Sequence, residues 1–469
     1  MMPKASADPL SLRLDEKLTH LSGAHFEWYI YKIHDRLRRQ SEKAYEPEIL
    51  SIGPYHRGKG HLRMMEEHKL QYLRLLLKRT EETSVDRYVV AMRKLRKRAQ
   101  GCYADSINLS EEEFVEMMLL DSCFIVEFLR KFSMTMLRDT NDPIFKMDWI
   151  LHGIWRDLIL FENQLPFFIL VHLFTMTKIP DPRDNIVDLI IRYGYCVREH
   201  YICTMSPGFE RFLKISYGIS PDDVKHFLGL VHHVASSSVV KFVSNRNICH
   251  DEKRWDYIHS ATELHEAGVR FKKAKHTPWL YIRFVNGAIE IPHFAVEETS
   301  ETVFRNLIAH EEHLQDAGPK YVKDYLTFLC CLINSARDVS LLRRCGILHN
   351  MLGDDEAVSA FFSKASTCVL VSRADFCYYG DFNDINAYYY LLRLGILDED
   401  EDAGCIFCGE EVETVDHILL SSMIHRSPFS GKVPVSTMWT EILNLWVQWV
   451  NRSNISSGSY HAMVEQWKL

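Results

Sequence analysis

One stretch constrains this chain more than any other: an apolar helical region, Ile150 to Phe174, interrupted by Glu162-Asn163-Gln164-Leu165-Pro166. Proline has no amide to donate, and its ring clashes with the carbonyl four residues back, so the helix must stop or kink there. Glu162, Asn163 and Gln164 stand where they can bond the backbone groups that the break frees. We read them as structural, with a binding site at the kink as the alternative.

A second signal is as sharp. Ser110-Glu-Glu-Glu113 is a capping box, in which Ser110 takes the amide of Glu113 and Glu113 reaches back to the amide of Ser110. The helix that follows has an apolar face of Phe114, Met117, Met118, Phe124, Ile125 and Phe128, and Asp121 falls on it. A buried carboxylate is costly without a partner, so a hydrogen bond to a helix end or a basic side chain is expected.

The rest of the chain reads as follows. Met1 to Leu21 is a flexible lead-in. Tyr45 to His56 is extended and closed by Gly53-Pro54. Leu62 to Arg79 has helical spacing. Thr204 to Asp256 is less regular, with Val234 to Val243 a surface loop with strand fragments. Gly268 to Phe271 is a short strand. Trp279 to Val285 and Ala288 to Pro292, joined by Asn286-Gly287, form a hairpin with a type I′ turn. Tyr321 to Ala336 and Asp354 to Lys364 return to helix. The fold class is mainly α with a small antiparallel β hairpin or sheet (α+β), and no βαβ repeat.

At 469 residues, two or three structural units are expected. Hydrophobic residues at 47% and charged residues at 25% are globular values. A net charge of −8 excludes a nucleic-acid polycation. The basic run Arg93 to Arg98 reads as a solvated helix face. The twelve cysteines sit mostly in apolar runs (Cys123, Cys330, Cys331, Cys368) and read as reduced and buried, hence an intracellular chain. No stretch spans a bilayer: Leu158 to Met176 carries Glu162, Asn163, Gln164, Pro166 and His172, and Tyr325 to Ile333 is too short. His310-Glu-Glu-His313 reads as polar residues on the surface and His232-His233 as incidental. Phosphate-loop, nucleophile-elbow and kinase motifs are absent.

Several of these segments resemble signature blocks of the plant "domain of unknown function 247" (UPF0481-type) family. They are Ser51 to His56, Met65 to Lys69, Met117 to Phe124, Glu162 to Phe168, Ser260 to Phe271, Phe304 to Ala309 and Asp381 to Asn386, in the family's order, over about residues 28–390. The resemblance implies a plant protein of a family whose members usually end in one membrane-spanning helix. Some grass members are linked to pollen–stigma self-incompatibility, which implies recognition. It carries over no catalytic residue. The membrane helix it implies after Tyr390 is not seen.

The tail, residues 391–469, is a different object. It is expected as a separate small helical, zinc-knuckle-like unit. Cys405-Ile-Phe-Cys408 and the later His417 have zinc-ligand spacing. The segment resembles the zinc-binding domain found downstream of plant reverse transcriptases, with Ser422 where the last cysteine belongs and His425 three residues on. A bound zinc ion and a decayed site both stand. Trp439, Ile442, Leu443, Trp446 and Val450 make one face of an amphipathic helix.

The domains expected are therefore the lead-in 1–21, a helical domain 22–390 and the tail 391–469. The function expected is non-catalytic recognition or signalling with a protein partner, in the cytoplasm or, by the resemblance, membrane-associated. The alternatives are zinc or nucleic-acid binding through Cys405, Cys408 and His417, and an unrecognised hydrolase. No cofactor is expected beyond zinc in the tail.

Overall fold

A computed structural model describes residues 28–198, 219–243, 259–274, 280, 282–314 and 320–366, with a few positions between 8 and 15. The helices of the first part are α1 (Asp35–Gln40), α2 (Arg63–Arg79), α3 (Asp86–Gln100), α4 (Glu111–Ser133), α5 (Asp148–Leu158), α6 (Phe167–Met176), α7 (Ile186–Arg198) and α8 (Phe227–Val243). There follow α9 (Ala261–Glu266), strands β1 (Arg270–Ala274), β2 (Arg283–Val285), β3 (Ala288–Pro292) and β4 (Phe294–Val296), α10 (Ser300–Glu312), α11 (Tyr321–Leu332), α12 (Ala336–Arg344), β5 (Leu348–Asn350) and α13 (Asp355–Ala365). The protein is mainly helical.

Helix α4 is the axis, and α2, α3, α6 and α7 pack around it. It begins at the predicted box: Ser110 Oγ accepts from the Glu113 amide at 3.2 Å, and Glu113 Oε2 accepts from the Ser110 amide at 2.8 Å. From Phe114 on it is buried almost all round, so its apolar face meets neighbours on every side. Phe124 stacks on Phe128 at 5.8 Å, and Phe128 meets Tyr193 of α7 edge-on at 5.0 Å. Burial of each such side chain contributes about 1.5–3 kcal/mol. One apolar cluster runs without a break from Ile30 to Ala365.

The Asn286-Gly287 hairpin is present. Asn286 and Gly287 have φ of 49° and 67°, and β2 pairs antiparallel with β3, Phe284 opposite Ile289. The sheet it belongs to is nonetheless mixed, which corrects the antiparallel expectation. The strand order is β1-β3-β2, with β1 parallel to β3, and β4 and β5 form a second, parallel pair. A turn dipeptide reports only the strand next in sequence. The partner from further away leaves no local signal.

Val234 to Val243 is helix, not a loop with strand fragments. Serine and valine cost only a few tenths of a kcal/mol each in a helix. Burial of Phe227, Leu228, Leu230, Val234 and Ala235 at the start of α8 outweighs that. Among the described residues no single helix is long and apolar enough to cross a membrane.

Candidate functional site

The break between α5 and α6 is a polar junction held from four directions. Gln164 Nε2 donates to the carbonyls of Leu158 and Leu160, each at 2.7 Å, and its Oε1 accepts from the Leu228 amide at 3.0 Å. Asn163 Nδ2 donates to the Asp157 and Leu50 carbonyls, both at 2.9 Å, while its Oδ1 accepts from the Ile52 amide at 2.7 Å. The carbonyls freed by the break thus find donors from the residues just after it, as the sequence suggests. Pro166 begins α6 as its cap residue.

Asp157, Asp121 and Glu162 are the carboxylates of this junction. Asp157 accepts from the amides of Glu48, Ile49 and Leu50 at 2.8–3.1 Å and from Arg156 at 2.8 Å. Asp121 pairs with Lys69 of α2 at 2.7 Å, and both are 1% exposed. Its second oxygen accepts from the Gly53 amide at 2.8 Å. Lys69 also donates to the Ser51 carbonyl at 2.5 Å. Burial pushes the Asp121 and Asp157 carboxyls up, against donors that pull both down. Gly53 has φ of +71°, and a Cβ there would lie 2.4 Å from the Gln164 carbonyl oxygen, so glycine is required twice over.

Glu162 ties the junction to the first residues of the domain. It accepts from the Ile33 amide and from Arg38, each at 2.5 Å. His56 Nε2 lies 3.3 Å from Glu162, and its Nδ1 lies 3.6 Å from Glu46. Burial pushes the Glu162 carboxyl up, but the nearby His56 ring, Arg38 and the Ile33 amide outweigh it and leave it below its ordinary value. A histidine beside Glu162 is the feature that would favour a hydrolase. Here, however, His56 and Glu162 are 2% and 3% exposed, and Glu162 is occupied by a backbone amide and a guanidinium.

Sequence reading misses a second cluster. His310 and Glu311 are buried on α10, and His232 is buried on α8, which corrects their reading as surface or incidental residues. The His310 ring lies 4.9 Å from His226 and 5.0 Å from His232, both nearly perpendicular. His232 Nε2 is 2.8 Å from Glu311, whose oxygens also accept from the Val322 and Lys323 amides and so cap α11. Burial pushes His226 down to about 3 and His310 well below the usual histidine range. Ser236 Oγ is 3.2 Å from His232, but from the same Nε2 that Glu311 addresses. A nucleophile–base–acid relay uses the two ring nitrogens separately, so this is not such a relay. Among the described residues no group of histidine, cysteine or carboxylate side chains is arranged to hold a metal ion. The signal that was available is helical spacing: Glu311 continues the stripe Phe304, Leu307, Ile308.

The polar junction and the histidine cluster touch. The Phe167 amide donates to the Lys225 carbonyl at 2.8 Å, beside His226, and Gln164 holds the start of α8. The basic run on α3 is largely solvated, as expected. Cys405, Cys408, His417, Ser422 and His425 lie outside the described residues.

Comparison with known proteins places these features in a family context. Residues 30–395 match the DUF247 family model, described as a plant protein of unknown function. The chain is 28% identical over 376 residues to the UPF0481 protein At3g47200 of Arabidopsis thaliana, covering 76% of each chain. It is 22% identical over 448 residues to At3g02645, a second Arabidopsis thaliana protein named for the UPF0481 group, covering 77% of this chain and 82% of the relative. No solved structure matches significantly.

Proposed function

We propose, for a chain that belongs to the DUF247 family of plant proteins, a non-catalytic role in recognition or signalling through an unidentified protein partner in the cytoplasm. One observation carries this reading. Asp121, Asp157 and Glu162 are each buried and spent on backbone amides and cations that hold neighbouring segments in place. Groups so engaged are poor general acids or bases, because they have no free position to offer a substrate.

The test is a panel of ester, peptide, glycoside and phosphate substrates offered to the purified full chain. No turnover above buffer is expected. Turnover that disappears in His56→Gln, with folding retained, overturns the reading in favour of a hydrolase.

A second reading rests on the spacing of Cys405, Cys408 and His417, beyond the end of the family match at residue 395. The tail then binds zinc through two thiolates and an imidazole. Metal analysis of the full chain is expected to give about one zinc per chain, lost in Cys405→Ser. Absence of zinc, or its retention in that variant, removes this reading.

A further inference from the structure

Helix α3 carries Arg93, Lys94, Arg96, Lys97 and Arg98 within six residues. At about 100° per residue they fan out around one side of the helix. Arg96 and Arg93 form one border, where the first turn of α4 engages them. Arg96 lies 2.7 Å from Glu111, and Arg93 lies 3.7 Å from Glu112. Arg98 and Arg87 form the other border, against α6. Arg98 lies over the Phe168 ring at 3.9 Å, and Arg87 donates to the Met176 carbonyl at 2.7 Å. Those two contacts join opposite ends of the helices, so α3 and α6 run antiparallel. Between the borders lie Lys97, Val90 and Lys94. All three are exposed, Val90 by 51%, and neither lysine has a carboxylate partner among the described residues.

The result is a cationic ridge with an apolar side chain at its centre. From Arg87 to Arg98 it runs about 16 Å along the helix. Lys94 sits one turn from both Lys97 and Arg98, and like charges so placed repel. Val90 leaves half of an apolar side chain in water between them. A partner that brings carboxylates to the lysines and an apolar group to Val90 removes both costs. The surroundings of the ridge limit the form of that partner. Glu111 and Glu112 stand exposed along one side of it, and Asp86 stands exposed at its start. A broad anionic surface, such as a bilayer or a duplex, meets these carboxylates as well, on a chain of net charge −8. Screening over about 8 Å lets one narrow segment laid along the ridge feel the lysines and little else.

We propose that the Lys97, Val90 and Lys94 ridge of α3 docks an acidic segment of another protein, with carboxylates on the two lysines and an apolar side chain on Val90. This rests on the recognition role and gives the chemistry of the partner. The ridge matches about five residues of extended chain or about three turns of helix. Arg98, fixed over Phe168 but not neutralised by it, offers a planar guanidinium to a further carboxylate at the end of the ridge. The contact is electrostatic and exposed, so it is salt-sensitive.

The test is fluorescence anisotropy of a labelled peptide of repeated Glu-Glu-Leu, titrated with the purified full chain. Saturable binding is expected at about 0.05 M salt, weakened several-fold at about 0.3 M. A repeated Gln-Gln-Leu peptide with the same label is expected not to bind. K94Q/K97Q is expected to weaken binding several-fold, and K94R/K97R, which keeps both charges, to bind as the parent does. V90S leaves every charge in place and is expected to cost about threefold. K272Q/K273Q, on the exposed lysine pair of β1, is expected to change nothing. Circular dichroism checks that each variant is folded. Four outcomes overturn the proposal: no saturable binding at low salt, full binding by folded K94Q/K97Q, an equal loss in K272Q/K273Q, or tighter binding through Lys94 and Lys97 of phosphatidylserine vesicles or duplex DNA than of the peptide. None of these touches the recognition role itself, which turnover of a substrate removes.

Discussion

The polar junction and the histidine cluster lie side by side, share Gln164 and the start of α8, and are built on opposite principles. In the junction each carboxylate meets donors: Asp121 meets Lys69 and Gly53, Asp157 three backbone amides and Arg156, and Glu162 Ile33 and Arg38. In the cluster three imidazoles crowd together, and the Nε2 of buried His226 has no partner among the described residues. Charge is retained and satisfied in one, whereas in the other burial disfavours the charged form of His226 and His310. Glu162 is held below its ordinary value and gains from ionisation, Asp121 and Asp157 are raised by burial, and His226 and His310 favour their neutral forms.

The difference should be largest where one partner of a buried pair is removed. Asp121→Asn leaves the buried Lys69 ammonium with only the half-buried Glu66 and the Ser51 carbonyl as partners, and a loss of about 3 kcal/mol is expected, the lower end for a broken buried pair. Chemical denaturation of the full chain measures it. The double variant Asp121→Asn/Lys69→Met should recover much of that loss, because it removes the stranded charge. A single variant as stable as the parent would mean that the pair contributes no bracing. Gly53→Ala should cost about 2–3 kcal/mol, since the new Cβ meets the Gln164 carbonyl oxygen at 2.4 Å and the backbone stays at positive φ. Tm is the readout, and a shift of less than a degree or two would show that the loop relaxes freely.

Acid separates the two regions by sign and window. His226 has its folded value pushed down to about 3 by burial, below the ordinary 6.5, so the unfolded chain binds the extra proton. Its contribution is complete above about pH 6.5 and is lost as pH falls towards 3, amounting to about 2 kcal/mol by pH 5. Glu162, held below its ordinary 4.5, loses its contribution only further down, as pH falls through its folded value. Asp121, raised by burial, works in the opposite direction and gains on acidification. Stability measured from pH 7 to 5 should therefore fall in the parent and fall less in His226→Leu. Equal slopes in the two would place the acid sensitivity elsewhere.

Much of the fold, and part of the junction, is legible in the sequence because its logic is local. The capping box of α4, the break at Pro166, Asp121 on an apolar stripe and the Asn286-Gly287 turn each announce themselves within a few residues. Only the partners are hidden: nothing near Asp121 points to Lys69, 52 positions away. The histidine cluster is illegible for the same reason taken further. His232 and Glu311 are 79 positions apart, and doublets such as His232-His233 look like solvated residues because one of the two, His233, is in fact exposed. Strands β4 and β5 are three residues each, too short to show an alternation, and are paired by topology rather than by pattern.

The smallest effect is expected at Ser236, and it bears on chemistry more than on stability. Its hydroxyl lies 3.2 Å from His232 Nε2, which Glu311 already holds at 2.8 Å. Removing it leaves the His232–Glu311 contact and the cap on α11 intact. Ser236→Ala should therefore cost less than about 1 kcal/mol. It should also leave the reactivity of the full chain towards a serine-directed fluorophosphonate probe unchanged, at background. Specific labelling of the parent that Ser236→Ala abolishes would reveal a nucleophile that the shared-nitrogen geometry disfavours. The histidine cluster would then have to be reread as a catalytic centre and the polar junction as its support.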